Sequence, residues 1–322
     1  MEEVIRIGCI PAIGAEPEIA SAPAPRPAED QVLVRMRASA LNFADLLKAK
    51  GQYQEAAEAP FIAGLEGAGE VVRAPEGSRL TPGMRVVVSW PGTMAEVIAV
   101  PEGAVQPFPD AMSFEQAAGF QVAYGTSHLA LAGRAALNPG ETLVVLGAAG
   151  GVGLTAVEIG RAMGARVIGV ARGADRLASV TAAGAQEVID SSDCPDLRAA
   201  LRDLGGADVI YDPVGETAGE AAFRALKPGG RFLVIGFAGG RPPELPLNHA
   251  LVKNIAIHGF YWGGYRKLDP QALRDSMTSL FGMFTEGRLK PHAGEVLPLD
   301  QLAQGYRLLR ERRSIGKVVI TL

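Results

Sequence analysis

Between residues 141 and 259, short apolar runs alternate with segments whose apolar residues recur every three to four positions. The runs are Thr142–Leu146, Arg166–Ala171, 187–189, 208–211, 231–235 and 255–259, each with the length of a buried strand. Helical spacing marks the stretches between them, such as 152–163, Ala174–Ala183 and 217–226. A parallel strand pair needs a long crossover to bring the chain back, so this alternation predicts a six-stranded, parallel, doubly wound sheet.

The pattern before residue 122 is different. Strand candidates 32–38, 69–74, 85–89 and 95–100 are separated by Gly and Pro, which predicts a small antiparallel, barrel-like β domain. The Pro/Ala-rich residues 22–27 are too few for an interdomain linker and read as an extended connection. A helix is expected over 270–286, with Asp269 as N-cap, Pro270 in its first turn, and Leu273, Met277, Phe281 and Phe284 on one face. A last strand at 317–321 has no place in a six-stranded sheet, so the chain is expected to return to the first domain. The expected division is 1–121 for the first part of that domain, 122–259 for the inserted domain, and 260–322 for the return.

The most informative local motif is Leu146-Gly147-Ala148-Ala149-Gly150-Gly151-Val152-Gly153, where a predicted strand ends and a helix begins. Gly147 permits a tight turn, Gly150 and Gly151 let backbone approach a pyrophosphate, and Gly153 allows close helix–sheet packing. The helix opening near Val152 aims free N–H groups and its positive dipole end at the phosphates. A glycine turn kept for packing alone is the competing account. At the end of the next strand, NAD-binding proteins place an acid on the ribose hydroxyls. This chain has Ala171, followed by Arg172 and Arg176. Ala171 repels no 2′-phosphate and the arginines can pair with one, so NADPH is the expected cofactor. Alternatively, both arginines are solvated, with Asp175 as a partner for either. Ligands of open parallel sheets bind outside the carboxyl ends of the strands. Val214 and Gly215, then Gly236, Phe237 and Ala238, then Phe260, Tyr261 and Trp262 stand at three such ends. The first two sets suit backbone contact with a nicotinamide; the aromatic run suits a flat acceptor or, equally, interface packing.

Composition narrows the class. The chain has 322 residues, 48% hydrophobic and 20% charged, with a net charge of -4. That balance argues against a dedicated nucleic-acid binder. Cys9 and Cys194 are too few for a disulfide framework and fit a reducing cytoplasm. The acidic start Met1-Glu2-Glu3 is unlike a signal peptide, and polar residues interrupt the longest uncharged stretch, 116–133, so no membrane span is expected.

In order along the chain stand Asn42-Phe43-Ala44-Asp45 and Tyr53, Gly64-Leu65-Glu66-Gly67-Ala68-Gly69, Pro82-Gly83-Met84-Arg85-Val86, Tyr124-Gly125-Thr126, the Gly147 to Gly153 turn, Asp212-Pro213-Val214-Gly215 and Gly316-Lys317-Val318. This set resembles the medium-chain dehydrogenase/reductase superfamily, in its zinc-independent, zeta-crystallin-like quinone oxidoreductase branch. The resemblance implies an α/β fold, with a six-stranded parallel Rossmann domain inserted in a mainly β, barrel-like (GroES-like) catalytic domain. It implies NADPH bound between the two, with Asn42, Thr126 and Lys317 among the cofactor contacts, and a homodimer joined through strand 255–259. Zinc-dependent relatives carry a Cys near Asn42-Phe43 and a His at Leu65; neither is here, nor is a cysteine-rich lobe. His128, His249, His258 and His292 lie singly, so no metal is expected. Glu158 stands where the branch usually has Gln, and Ser191 replaces a tyrosine that often covers the adenine.

Quinones and conjugated enones are electrophilic without a Lewis acid, so positioning them against a hydride donor suffices. By resemblance Asn42 and Tyr53 line the slot for nicotinamide and acceptor. Each has a plain alternative, Asn42 as a helix cap and Tyr53 as a loop aromatic. The expected activity is NADPH-dependent reduction of a quinone. A reductase of enone or enoyl-thioester double bonds is the enzymatic rival, and a non-catalytic NADPH-binding protein the rival of another class.

Overall fold

The computed structural model describes residues 3–55 and 57–322. Two compact units emerge: one from the chain up to Val122 together with Pro291–Leu322, the other Ala123–Lys290. The first part of unit one contributes β1 (Val4–Ile10), β2 (Glu18–Pro23), β3 (Gln31–Leu41), α1 (Phe43–Ala49), β4 (Phe61–Ile62), β5 (Glu66–Arg73), β6 (Arg85–Val88), β7 (Val97–Pro101), β8 (Val105–Pro107) and α2 (Phe114–Ala118). Helix α3 (Gln121–His128) carries the chain into unit two. There follow β9 (Thr142–Leu146), α4 (Gly151–Ala162), β10 (Arg166–Ala171), α5 (Ala174–Ala183), β11 (Glu187–Asp190), α6 (Leu197–Asp203), β12 (Ala207–Asp212), α7 (Glu216–Arg224), β13 (Leu226–Val234), α8 (Leu247–Lys253), β14 (Ala256–Gly259), α9 (Tyr265–Leu268) and α10 (Pro270–Thr285). The return brings β15 (Glu295–Pro298), α11 (Leu302–Arg310) and β16 (Val318–Thr321).

In unit one β3 is the spine. Val32, Val34 and Met36 point inward at alternate positions, while Arg35 and Arg37 face out, the period of a half-buried strand. The larger sheet runs β15-β16-β3-β5-β6-β8, with β7 also paired to β3, and β2-β1-β4 forms a second sheet. Ile5, Ile7 and Cys9 of β1 pack with Val32, Val34, Met36, Val86 and Val88 in one core. β16 lies antiparallel on β3, which stitches the return segment into the sheet.

Unit two is a parallel sheet in the order β11-β10-β9-β12-β13-β14, the 3-2-1-4-5-6 order of dinucleotide-binding folds. Every residue of central β9 is buried, as expected of a strand covered by helices on both faces. β13 begins at Leu226, earlier than 231–235 implied. Pro228, Gly229 and Gly230 read as a turn, but the strand carries them through a register shift against β12.

The compact units place the return to unit one at Pro291, whereas the sequence division 122–259 and 260–322 sets it at residue 260. Two features of α10 explain the difference. It packs on the helical turn Leu129–Arg134, burying Met277, Leu280, Phe281 and Met283, and Ser276 Oγ lies 2.8 Å from His128 Nδ1 of α3. Asp269 caps α10 as predicted, accepting from Ala272 N. The buried stripe is turned slightly from the expected one, with Leu273 and Phe284 only half-buried.

Candidate functional site

Unit one gathers a buried polar cluster where β3, α1, β5 and the approach to β16 meet. Lys317 Nζ donates to Asn42 Oδ1 at 2.5 Å and to Glu66 Oε1 at 2.8 Å. Asn42 Nδ2 donates to the same Glu66 oxygen at 3.0 Å, and Glu66 Oε2 accepts from Val122 N at 2.8 Å. Glu66 is fully buried, and Lys317 and Asn42 are 7% and 9% exposed. An ammonium so far out of water needs its counter-charge, and Glu66 supplies it. The local sequence makes room: a Cβ on Gly119 would lie 3.2 Å from the Lys317 stem. Asn42 stands at the N-cap of α1, where its backbone N donates to Asp45 Oδ2 at 2.8 Å, but its side-chain amide is turned to Glu66 and Lys317. Burial pushes the Asp45 carboxyl up to about 6, against the pull of the Asn42 N–H and Lys317. Ser39 and Thr93 hydroxyls, 2.8 Å apart, both donate to Glu66 O and fix the strand beneath its side chain. Tyr53 lies half-buried in the loop after α1.

In unit two β9 ends at Leu146 and the chain turns at Gly147, whose φ of 56° favours glycine. A Cβ on Gly153 would come within 2.8 Å of the Ala148 backbone, so only glycine lets α4 sit this close to the turn. Among the described residues no side chain caps α4, whose N-cap is the exposed Gly150. Uncapped amide N–H groups behind a side-chain-free turn form a cradle that fits a pyrophosphate. A second turn lies beside it: Asp212 Oδ1 accepts from Val214 N and Gly215 N, each at 2.8 Å. Burial raises the Asp212 carboxyl to about 6 in spite of these bonds. Ala238 N and Gly239 N then donate to Pro213 O and Val214 O, which locks the β12 and β13 ends together and leaves Phe237 exposed. Phe260 is buried against Tyr265, ring centroids 5.3 Å apart. The Trp262 indole packs on Gly125, next to buried Thr126, and its buried Nε1 has no hydrogen-bond partner among the described residues.

At the β10 end Ala171 is buried and Arg172 exposed, with Arg176 Nη1 reaching back to Arg172 O at 3.3 Å. Asp190, at the end of β11, had no part in the sequence reading. Its carboxylate accepts from Gly173 N, Ser192 N and Ser192 Oγ, and these bonds, with Arg172 nearby, hold it below the usual range. Ser191 turns its hydroxyl to Ala171 O. The structure therefore brings Asn42 and Lys317 together in unit one. In unit two it gathers Gly147, Gly150, Gly151, Val152 and Gly153 with Val214, Gly215, Gly236, Phe237 and Ala238 at the carboxyl ends of the strands. The sequence named Asp45, Glu66 and Asp212 only within the motifs of the resemblance, with no role assigned, and left out Asp190; these are the carboxylates that arrange the groups. Glu66 alone had a visible signal, a lone acid between glycines in an apolar strand. Glu158 is also a positioning group: it accepts from Tyr124 Oη at 2.5 Å and from Lys290 N, and burial raises its carboxyl.

Residues 151–279 match the family described as zinc-binding dehydrogenase, and residues 28–110 match the alcohol dehydrogenase GroES-like domain. The chain is 38% identical over 299 residues to quinone oxidoreductase-like protein 2 homolog of Nematostella vectensis, covering 90% of this chain and 81% of that protein. It is 31% identical over 317 residues to the human synaptic vesicle membrane protein VAT-1 homolog, covering 92% and 80%. A quinone oxidoreductase of Thermus thermophilus, solved alone and with NADPH, superposes with a TM-score of 0.87 at 32% identity, covering 98% of this chain and all of that one. The zinc in the first description finds no ligand set here: among the described residues no three His, Cys, Asp or Glu side chains group to hold a metal. No helix among them is long and apolar enough to cross a membrane.

Proposed function

The chain belongs to the quinone oxidoreductase branch of the medium-chain dehydrogenase/reductase superfamily, oxidoreductases that bind a nicotinamide cofactor, and we propose that its own reaction is NADPH-dependent reduction of a quinone without a metal. The observation that carries this reading is the Lys317–Glu66–Asn42 cluster. A buried carboxylate already neutralised by an ammonium is a poor ligand for a dication, so the acceptor has to be electrophilic without one. Quinones and enones both meet that requirement, and the likeness to the quinone oxidoreductase-like protein and the Thermus thermophilus quinone oxidoreductase favours the first.

When bound, NADPH supplies the hydride from its nicotinamide ring. The chain's residues hold and orient. The Gly147 to Gly153 turn and the α4 amides take the pyrophosphate, and Arg172 and Arg176 take the 2′-phosphate. Val214, Gly215, Gly236 and Ala238 offer backbone at the nicotinamide end, and Phe260, Tyr261, Trp262 and Thr126 bound it. In unit one Lys317 and Glu66 fix the rotamer of the Asn42 amide, and by the family resemblance Asn42 and Tyr53 would line the slot for nicotinamide and acceptor. No side chain is assigned as proton donor, because a hydroquinone takes its proton from water. We also propose a homodimer joined through β14. This strand is one of the two edges of the sheet, and Ile257 on it is exposed, as are Leu247, Leu251 and Val252 on α8. The free thiols Cys9 and Cys194 suit a reducing cytoplasm.

The test is steady-state NADPH oxidation with matched panels of quinones, enones and enoyl thioesters, with a chelator present. Quinones are expected to be the fastest acceptors. Turnover of enoyl substrates alone would make the protein a double-bond reductase, and tight NADPH binding with no turnover would make it a binding protein.

A further inference from the structure

At the opposite end of the unit-two sheet, where β12 and β13 begin, lies a cleft of about 320 Å³. That size is at the lower end for ligand pockets. Its polar lining is all basic: Arg198 and Arg202 of α6, Arg224 of α7, Lys227 of β13, and His249 and Lys253 of α8, with no carboxylate among them. Such a concentration is unexpected in a chain of net charge -4.

Ordinary structural roles account for part of it. Lys227 Nζ is matched by Asp208 Oδ2 at 2.8 Å, and Lys253 Nζ donates to Arg224 O and Leu226 O. Arg202 and Arg224 lie in the last turns of their helices, where a cation is favoured by the dipole. Arg198 has no such account. It lies in the first turn of α6, the wrong end for a cation, and four residues before Arg202, a spacing at which like charges repel. Its Nε is buried and has no hydrogen-bond partner among the described residues, and the same holds for His249 Nδ1. The crowding is felt by Lys253, whose ammonium is held below its usual range by burial and by Arg202 and Arg198.

We propose that this cleft is a binding site for a small oligophosphate anion, separate from the dinucleotide site. Three guanidinium groups offer planar pairs of N–H donors, and a phosphate presents several oxygens to each, so two linked phosphates match three forks better than one carboxylate does. The cleft lies at the amino ends of the strands, whereas the Gly147 turn follows the carboxyl end of β9, so both sites can be filled together.

The probe is inorganic pyrophosphate, titrated calorimetrically into the full chain at low salt, with and without NADPH. With NADPH saturating, so that the Gly147 to Gly153 turn is occupied, one pyrophosphate site per chain is expected, with inorganic phosphate and citrate both weaker. Arg198→Ala and Arg224→Ala should each weaken pyrophosphate by about tenfold or more and leave NADPH affinity unchanged. Both positions are half-exposed, so the variants are expected to fold, which circular dichroism checks. No pyrophosphate binding when NADPH is saturating, affinity retained there in the double variant, or citrate binding as tightly as pyrophosphate would each overturn the assignment.

Discussion

Removing the Lys317 ammonium probes the unit-one cluster directly. Lys317→Met keeps the length of the stem and deletes the charge, leaving Glu66 buried with only the Asn42 amide and the Val122 N–H. At 2.8 Å the pair attracts by roughly 6 kcal/mol at an effective dielectric of about 20. Desolvation offsets part of that, and breaking a buried pair by removing one partner costs about 3–5 kcal/mol. The assay is urea unfolding followed by fluorescence of Trp90, which lies in unit one, with Trp262→Phe as background so that unit two is silent. Lys317→Met is expected to lose about 3–5 kcal/mol. Lys317→Met with Glu66→Gln should recover a substantial part, because no buried charge is left unpaired. A loss below about 1 kcal/mol in the single variant, or double-variant costs that simply add, would refute the buried-pair reasoning.

The cofactor reading predicts that Arg172→Ala weakens NADPH roughly ten- to a hundredfold, the loss of one charge-assisted hydrogen bond, while NADH stays within about threefold. Arg176→Ala should act the same way but more weakly, since its guanidinium already reaches Arg172 O; fluorescence titration of both cofactors at fixed salt checks both. Asp45 is raised from 3.8 to about 6, so between those values the folded state holds the extra proton and stability falls as pH rises, by about 3 kcal/mol in full. Asp45→Asn should therefore gain thermal stability relative to wild type between pH 4 and pH 7 on the order of that amount, and a pH-independent difference would sink the assignment. Ile257→Lys on the β14 edge should give a monomeric mass by light scattering where wild type gives a dimer; a monomeric wild type at micromolar concentration would rule the dimer out.

The unit-two sheet was legible because each strand is a short continuous apolar run and each crossover has helical spacing; Thr142–Leu146, Arg166–Ala171 and Ala174–Ala183 fall where the pattern placed them. The glycine turn was legible because backbone conformation there depends on residue type: Gly147 needs positive φ and Gly153 has no space for a Cβ. Less was visible where long-range contacts decide. Residues 260–290 looked like part of the return because the last sheet strand had ended, but the pairing of α10 with residues 129–134 joins positions far apart in sequence. Glu66 and Lys317 are separated by 251 positions, and nothing local in either announces the other. Nothing local gives Asp212 or Asp190 a role, and only the fold turns their carboxylates onto neighbouring amides.

The most direct test of metal-free hydride transfer to a quinone is a single turnover by chelator-treated protein, with NADPH deuterated at the transferring carbon of the nicotinamide. One NADPH is expected to be consumed per quinone, with a primary isotope effect on the transfer and no change when zinc is added back. Oxidation that requires zinc, or that proceeds without loss of the label from the nicotinamide, would contradict it.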